Sequence, residues 1–253
     1  MAIVTLLTDF GLIDSYVAQM KAALLSVAPS VTLVDISHAV PPQDVRAGAF
    51  LLWTAVEPFP IGTVHLAVVD PGVGSSRLAV AARSARGDYF VGPDNGLLVP
   101  ALERLGGIAS AVSLLQTEFW RPPVSATFHG RDIFAPVAAH LASGVALEAL
   151  GEPVAPRRPF ELTFAEGMVC EVVHIDGYGN LITNLLAQQI QPPFQVQLGE
   201  RRARFVPYYA AAEPGELIAL VGSSGLLEIS VRDGNAAALT GLSRGAPLEL
   251  LPT

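Results

Sequence analysis

The chain has 253 residues, of which 51% are hydrophobic and 15% charged, with a formal net charge of −8. That length supports one large domain or two modest ones, and that composition excludes a disordered chain. An acidic balance with no basic tract argues against binding to nucleic acid or to an anionic membrane.

The chain opens on MAIVTLLTDFG. This stretch lacks the basic n-region and cleavage signature of a secretory signal, and no apolar run in the chain reaches the roughly 18 residues that span a bilayer. IVTLLTD is the first expected strand. SYVAQMKAALLSVAP then places Val17, Met20, Ala23, Leu24 and Val27 at helical spacing before Pro29. VTLVDIS is a second strand, DVRAGAFLLWTAVEPF a second helix, and TVHLAVVD a third strand. LAVAARSA and DYFVGP extend the strand set. GLLVPALERLG is a short helix, and DIFAPVAAHLASG is a longer one stopped at Gly144. Strands alternating with helices predict an α/β domain over residues 1–150, its mostly parallel sheet covered by helices.

GEPVAPRRPF, residues 151–160, carries three prolines without apolar periodicity and reads as a linker. Residues 161–253 then break into seven short strand candidates: GMVCEVVHIDG, LITNLL, FQVQLGE, RRARFVP, ELIALVG, LLEISVRDG and PLELLP. Short strands at close intervals predict a second, all-β domain, a small barrel or sandwich. Cys170 is the only cysteine, so no internal disulfide forms. That fits a reducing, cytoplasmic setting.

Four segments carry candidate chemistry. Asp9 in LLTDFG, Asp35 in LVDIS and Asp70 in VVDPG each end an expected strand. In a parallel sheet ligands gather outside those ends, although a single acid there is as readily a cap or turn residue. PGVGSS lacks the GK[ST] ending of a phosphate loop, and DFG stands here without the other kinase segments. The glycines are expected to leave room for a ligand, and Arg77 returns from the following strand. In TFHGRDIFAP, His129 precedes a helix start, where an imidazole can reach a pocket. In HIDGYGNLITN, Asp176, Tyr178 and Asn180 read either as a β-turn or as a nucleoside pocket with an aromatic face. VGSSGLLEISVRDGNAA adds serines and glycines that expose backbone donors. No histidine pair has metal-ligand spacing, so no zinc site is expected.

Taken together and in order, TDFG…DSYVAQMK, DISHAVPPQDVRAGAF, VVDPGVGSSR, GPDNGLL, TFHGRDIFAP, IDGYGNLITN and SSGLLEISVRDGNAA resemble the SAM hydroxide adenosyltransferases, the S-adenosyl-L-methionine hydrolases related to the SAM-dependent fluorinase and chlorinase. The resemblance spans essentially the whole chain. It implies an N-terminal α/β domain, a C-terminal β-barrel, and a homotrimer binding SAM between one subunit's N-domain and its neighbour's C-domain. By position it implies Asp70, Arg77 and His129 as the catalytic set, with Asp9 on the ribose hydroxyls. Asp176 would bind the methionine end, Tyr178 would stack on adenine, and Asn180 would contact the nucleoside. Ser223 and Ser224 would hold the amino-acid end, and the backbone at Asn235 and Ala236 would read the base. The products would be adenosine and L-methionine, with no cofactor. The related halogenases carry a tyrosine at the place of Asp70, a threonine at that of Val73 and a Tyr-Ser pair at that of His129 and Gly130. This favours water over halide as nucleophile. A halogenase and a non-catalytic adenosine or SAM sensor stand as the alternatives. His129 suits a base or relay, Asp70 could orient it, and Arg77 could polarise the water; which of them takes the proton stays open at this level.

Overall fold

The computed structural model describes residues 2–159, 162–190 and 194–252. The chain divides into two compact units, Met1–Leu162 and Thr163–Thr253.

In the first unit β1 (Ile3–Thr8), β2 (Thr32–Ser37), β3 (Val64–Val68), β4 (Ala79–Ser84), β5 (Tyr89–Pro93), β6 (Ile108–Leu114) and β7 (Gly151–Pro153) form one sheet in the order β2-β1-β3-β5-β4-β6-β7. The neighbours from β2 to β5 run parallel. The pairs β5–β4, β4–β6 and β6–β7 run antiparallel. The sheet is therefore mixed, which corrects the expectation of a mostly parallel one. The reason is loop length. A parallel neighbour needs a crossover of about a dozen residues, whereas only residues 85–88 separate β4 from β5. β7 also uses the first three residues of the stretch read as linker.

Helices α1 (Tyr16–Val27), α2 (Val45–Ala55), α3 (Val99–Arg104) and α4 (Ala135–Ala142) cover both faces. Strand alternation decides which residue meets which helix. Leu6, Leu66 and Val68 pack with Met20 and Leu24 of α1 and Val137 of α4. Leu7, Ala67 and Val69 pack with Leu52 of α2 and Leu102 of α3. Asp44 caps α2 by accepting from Ala47 N at 2.9 Å.

In the second unit β8 (Val169–Ile175), β9 (Leu181–Leu186), β10 (Phe194–Leu198), β11 (Arg201–Phe205), β12 (Leu217–Val221), β13 (Leu226–Val231) and β14 (Pro247–Pro252) close a barrel in the order β10-β11-β12-β13-β9-β8-β14. β14 pairs with β10, so no strand is left with an open edge. All pairs are antiparallel except β11–β12. The interior is filled by Val172, Leu181, Val196, Leu227, Ile229 and neighbouring apolar side chains. A short helix α5 (Ala236–Thr240) follows β13. Among the described residues no helix is long and apolar enough to cross a membrane.

Candidate active site

The first unit's site lies where the strand order reverses. From β1 the chain passes through α1 to β2 on one side, and β3 lies on the other. Asp9 follows the carboxyl end of β1, and Asp70 follows β3 after Val69. Such a reversal opens a crevice above the strand ends. A cleft of about 390 Å³ occupies it, lined by Asp9, Phe10, Gln43, Asp70, Phe128 and His129 among others.

Asp70 and Arg77 form a two-pronged ion pair. Arg77 Nε donates to Oδ1 at 2.9 Å and Oδ2 at 3.1 Å, and Nη2 donates to Oδ2 as well. Only 5% of the Asp70 side chain and 9% of the Arg77 side chain are exposed. Nη2 also donates to His129 Nδ1 at 2.9 Å. A guanidinium has no acceptor, so this bond requires the lone pair on Nδ1 and leaves the ring hydrogen on Nε2. Burial holds the His129 imidazole below its ordinary value of 6.5, and the Arg77 charge adds to this against the opposing pull of Asp70 and Asp132. The three expected residues are thus brought together with Arg77 in the middle. The hydrogen bond that orients the imidazole comes from Arg77, which Asp70 holds in turn.

Local geometry explains the convergence. Gly74 has φ +76°, and a side chain there would strike the carbonyl oxygen of Ala126. The bare loop after Asp70 therefore lies against the segment that leads to His129. The room expected for a ligand is used, at Gly74, by the protein's own backbone. Ser75 Oγ donates to Gly72 O at 2.6 Å and tightens the turn. The Arg77 guanidinium lies 5.2 Å from the centre of the Phe134 ring. Gly130–Phe134 is a π-helical turn running into α4, a widened turn of a kind common at functional sites. Buried Asp132 accepts from Arg131 at 2.7 and 2.8 Å and from Ser125 N at 2.9 Å. It thereby ties the loop before His129 to the turn that follows.

Asp9 Oδ2 accepts from Gln43 N at 2.8 Å. Gln43 has φ +65°, a left-handed conformation uncommon outside glycine. The rings of Phe10, Tyr16 and Phe128 meet edge to face at 5.4 to 6.1 Å. Sequence reasoning missed Phe10, Tyr16, Gln43 and Phe128 as cleft residues. Phe10 adjoins Asp9 and Phe128 adjoins His129, so adjacency was the one signal available for them. Asp35 pairs with Lys21 at 2.6 Å.

The second unit holds the remaining expected residues. Asp176 Oδ1 accepts from the backbone N–H groups of Tyr178 and Asn180, each at 2.9 Å, and Oδ2 accepts from Asn180 Nδ2 at 2.9 Å. The β-turn reading is thus realised in full, and it holds Tyr178 with 81% of its surface exposed. Gly179 approaches Asn235 so closely that no side chain fits between them. Asn235 caps α5 by accepting from Ala238 N at 2.7 Å, and Ala236 behind it is wholly buried. Asp176, Tyr178, Asn180, Asn235 and Ala236 therefore share one corner. Ser223 and Ser224 sit on the separate turn between β12 and β13. Sequence reasoning missed Glu228, a buried acid on β13 that accepts from Tyr209 Oη and from Ser230 Oγ at 2.7 Å. Burial and that carboxylate push the Tyr209 phenol up to about 12. Among the described residues no group of three or more His, Cys, Asp or Glu side chains could hold a metal ion.

An α/β unit with an acid–guanidinium–imidazole chain at its switch point, followed by a closed barrel, defines a class that the comparisons identify. Residues 4–151 match the model of the SAM hydroxide adenosyltransferase N-terminal domain, and residues 170–249 match that of the C-terminal domain. The chain is 44% identical to an (R)-S-adenosyl-L-methionine hydrolase of Thermus thermophilus, across 97% of this chain and 98% of that protein. A fluorinase of Nocardia brasiliensis is 30% identical, across 94% and 91%. The crystal structure of an uncharacterized conserved protein from Thermotoga maritima superposes with a TM-score of 0.90 at 34% identity, across 98% and 99%. The chain belongs to the SAM hydroxide adenosyltransferase family.

Proposed function

We propose that this protein hydrolyses S-adenosyl-L-methionine to adenosine and L-methionine by attack of water or hydroxide at ribose C5′. The observation that carries the reading is the unbroken Asp70–Arg77–His129 chain bordering a cleft that also holds Asp9. The likeness to SAM hydrolases over the full length supports it.

In the reaction the oxygen–C5′ bond forms as the C5′–sulfur bond breaks. The bonding pair returns to sulfur, which leaves as a neutral thioether. With hydroxide as nucleophile, opposite charges cancel on the way to the transition state, and a site poor in water favours such a step. Alignment of oxygen, C5′ and sulfur supplies much of the remaining acceleration. SAM carries its own leaving group, so the reading calls for no cofactor and no metal. Asp70 retains acceptor capacity beyond its Arg77 bonds, takes a hydrogen bond from the attacking water and accepts the proton that the water releases as the new bond forms. His129 presents its Nε2–H, and Arg77 locks both groups in place. Asp9 takes the ribose hydroxyls. The Asp70 carboxylate accepts a hydrogen bond from water but offers no donor to a halide, which sets this reading apart from that of a halogenase.

In the same reading residues 1–150 form the catalytic domain, 151–160 the linker and 161–253 the completing barrel. The working form is a cytoplasmic homotrimer with interfacial sites. Asp176, Tyr178, Asn180, Ser223, Ser224, Asn235 and Ala236 of one subunit then complete the pocket of its neighbour. Nucleic acid and membrane are not partners.

The test is incubation with SAM in ¹⁸O-labelled water and mass spectrometry of the adenosine. Label in the 5′-hydroxyl is the expected outcome. Product that forms only with chloride or fluoride, as a 5′-halo nucleoside, would make the protein a halogenase. Tight adenosine binding without turnover would make it a sensor.

A further inference from the structure

We propose that His38 is a positioning residue for the ribose-binding acid, holding the Asp9 turn in its working shape through Thr8. The inference rests on the reading of the cleft as a SAM site and extends it to a residue outside the cleft lining.

β1 ends at Thr8, which is wholly buried. Thr8 Oγ1 accepts from Phe10 N at 3.2 Å and lies 2.8 Å from His38 Nδ1. With the Asp35 carboxylate beside Nε2 favouring the ring hydrogen there, the hydroxyl accepts from the backbone and donates its own hydrogen to Nδ1. Nε2 then carries the ring hydrogen and faces Asp35 Oδ1 at 3.2 Å. That approach is electrostatic rather than a well-aligned bond. Asp35 is anchored in turn by Lys21 at 2.6 Å. The backbone oxygen of the same histidine accepts from Gly11 N at 2.7 Å. His38 thus acts on the residues after Asp9 twice, on Phe10 through Thr8 and on Gly11 directly.

Five residues further along, the same loop delivers Gln43 N–H to Asp9 Oδ2 at 2.8 Å. Gln43 does this from φ +65°. Strained conformations of this kind persist only where the surroundings over-determine them, and they cluster at ligand sites. The loop after β2 therefore grips the Asp9 turn at three points, and His38 supplies two of them. His38 is only 5% exposed, so an apolar residue could fill its volume. A buried imidazole costs stability unless its nitrogens find partners, and here Thr8 meets one while the Asp35 carboxylate faces the other, which fixes one geometry of the ring. The imidazole is explained by what it orients.

The experiment compares His38→Leu with His38→Asn, measuring adenosine affinity by calorimetry and SAM turnover by steady-state kinetics. Asparagine keeps a polar atom one bond beyond Cγ, where Nδ1 meets Thr8; leucine does not. The leucine variant is expected to weaken adenosine binding and raise KM about tenfold with kcat within about threefold, and the asparagine variant to recover most of the loss. Leucine and asparagine variants that are equally impaired, affinity within about twofold of the unsubstituted chain for both, or a fall in kcat with KM unmoved would each overturn the assignment. If the leucine variant does not fold, Thr8→Val and Thr8→Ser carry the same test. The valine variant loses affinity while the serine variant keeps it, and a valine variant that binds normally overturns the proposal. Absence of turnover by the unsubstituted chain would instead count against the SAM hydrolase reading, so the two failures are separable.

Discussion

Arg77 faces two acceptors at once, the carboxylate of Asp70 and Nδ1 of His129. Protonating His129 would remove one acceptor and set a second cation 2.9 Å from the guanidinium. The chain therefore works only with the imidazole neutral. Because burial and Arg77 lower the His129 pKa below 6.5, the neutral form survives to pH values below that point. The expected result is a kcat/KM profile whose acid limb inflects below pH 6.5 and whose rate at 6.5 is largely retained. An inflection above 6.5 would show that the Arg77–His129 bond does not govern the working state. Asp70, Arg77 and His129 were legible in the sequence by residue type and by motif order. That Arg77 stands between the other two was not, because it depends on a contact between residues 52 positions apart.

At the scale of elements, the loop from β3 to β4 does the assembling. Gly74 is required by its left-handed φ and by the Ala126 carbonyl behind it. Gly74→Ala is expected to cost about 1–2 kcal/mol of stability and to lower kcat/KM more than tenfold by pushing the loop off the His129 segment. Thermal unfolding and steady-state kinetics check this, and a variant with wild-type kinetics would detach the loop's packing from the site. The elements themselves were largely readable. Helical spacing marked α1 and α2, and all seven barrel strands were marked by their turns. β6 escaped because IASAVSL mixes alanine and serine with few large apolar residues. The antiparallel half of the sheet escaped because periodicity marks a strand and not its direction.

For the molecule as a whole, a wholly buried titratable group lies at the opposite end of β3 from the cleft. His65 is wholly buried, bonds Thr5 at 2.8 Å, and is held down to about 4 by burial, with Arg86 acting in the same sense and Asp88 against it. A histidine whose folded pKa lies below its unfolded one favours the fold above the unfolded value. That contribution is lost as pH falls from 6.5 toward 4. Urea unfolding at a series of pH values is expected to show a loss on the order of 3 kcal/mol across that window, with a flatter slope in His65→Gln. Equal slopes in the two proteins would assign the acid sensitivity to other groups.

Taken by itself, the order of residues determined the two-part architecture, the seven short strands of the second unit, and the family to which the motifs belong. These follow from local periodicity, from turn chemistry and from colinear segments, all of which are properties of neighbouring residues. Tertiary structure alone decided the mixed direction of the sheet, the aromatic wall of the cleft, the buried Glu228, and the sequence of hydrogen bonds from Asp70 through Arg77 to His129. Each of these is a relation between groups that the chain keeps far apart. Such a relation is fixed only when burial removes water as the competing partner and forces every polar group to find another within the fold.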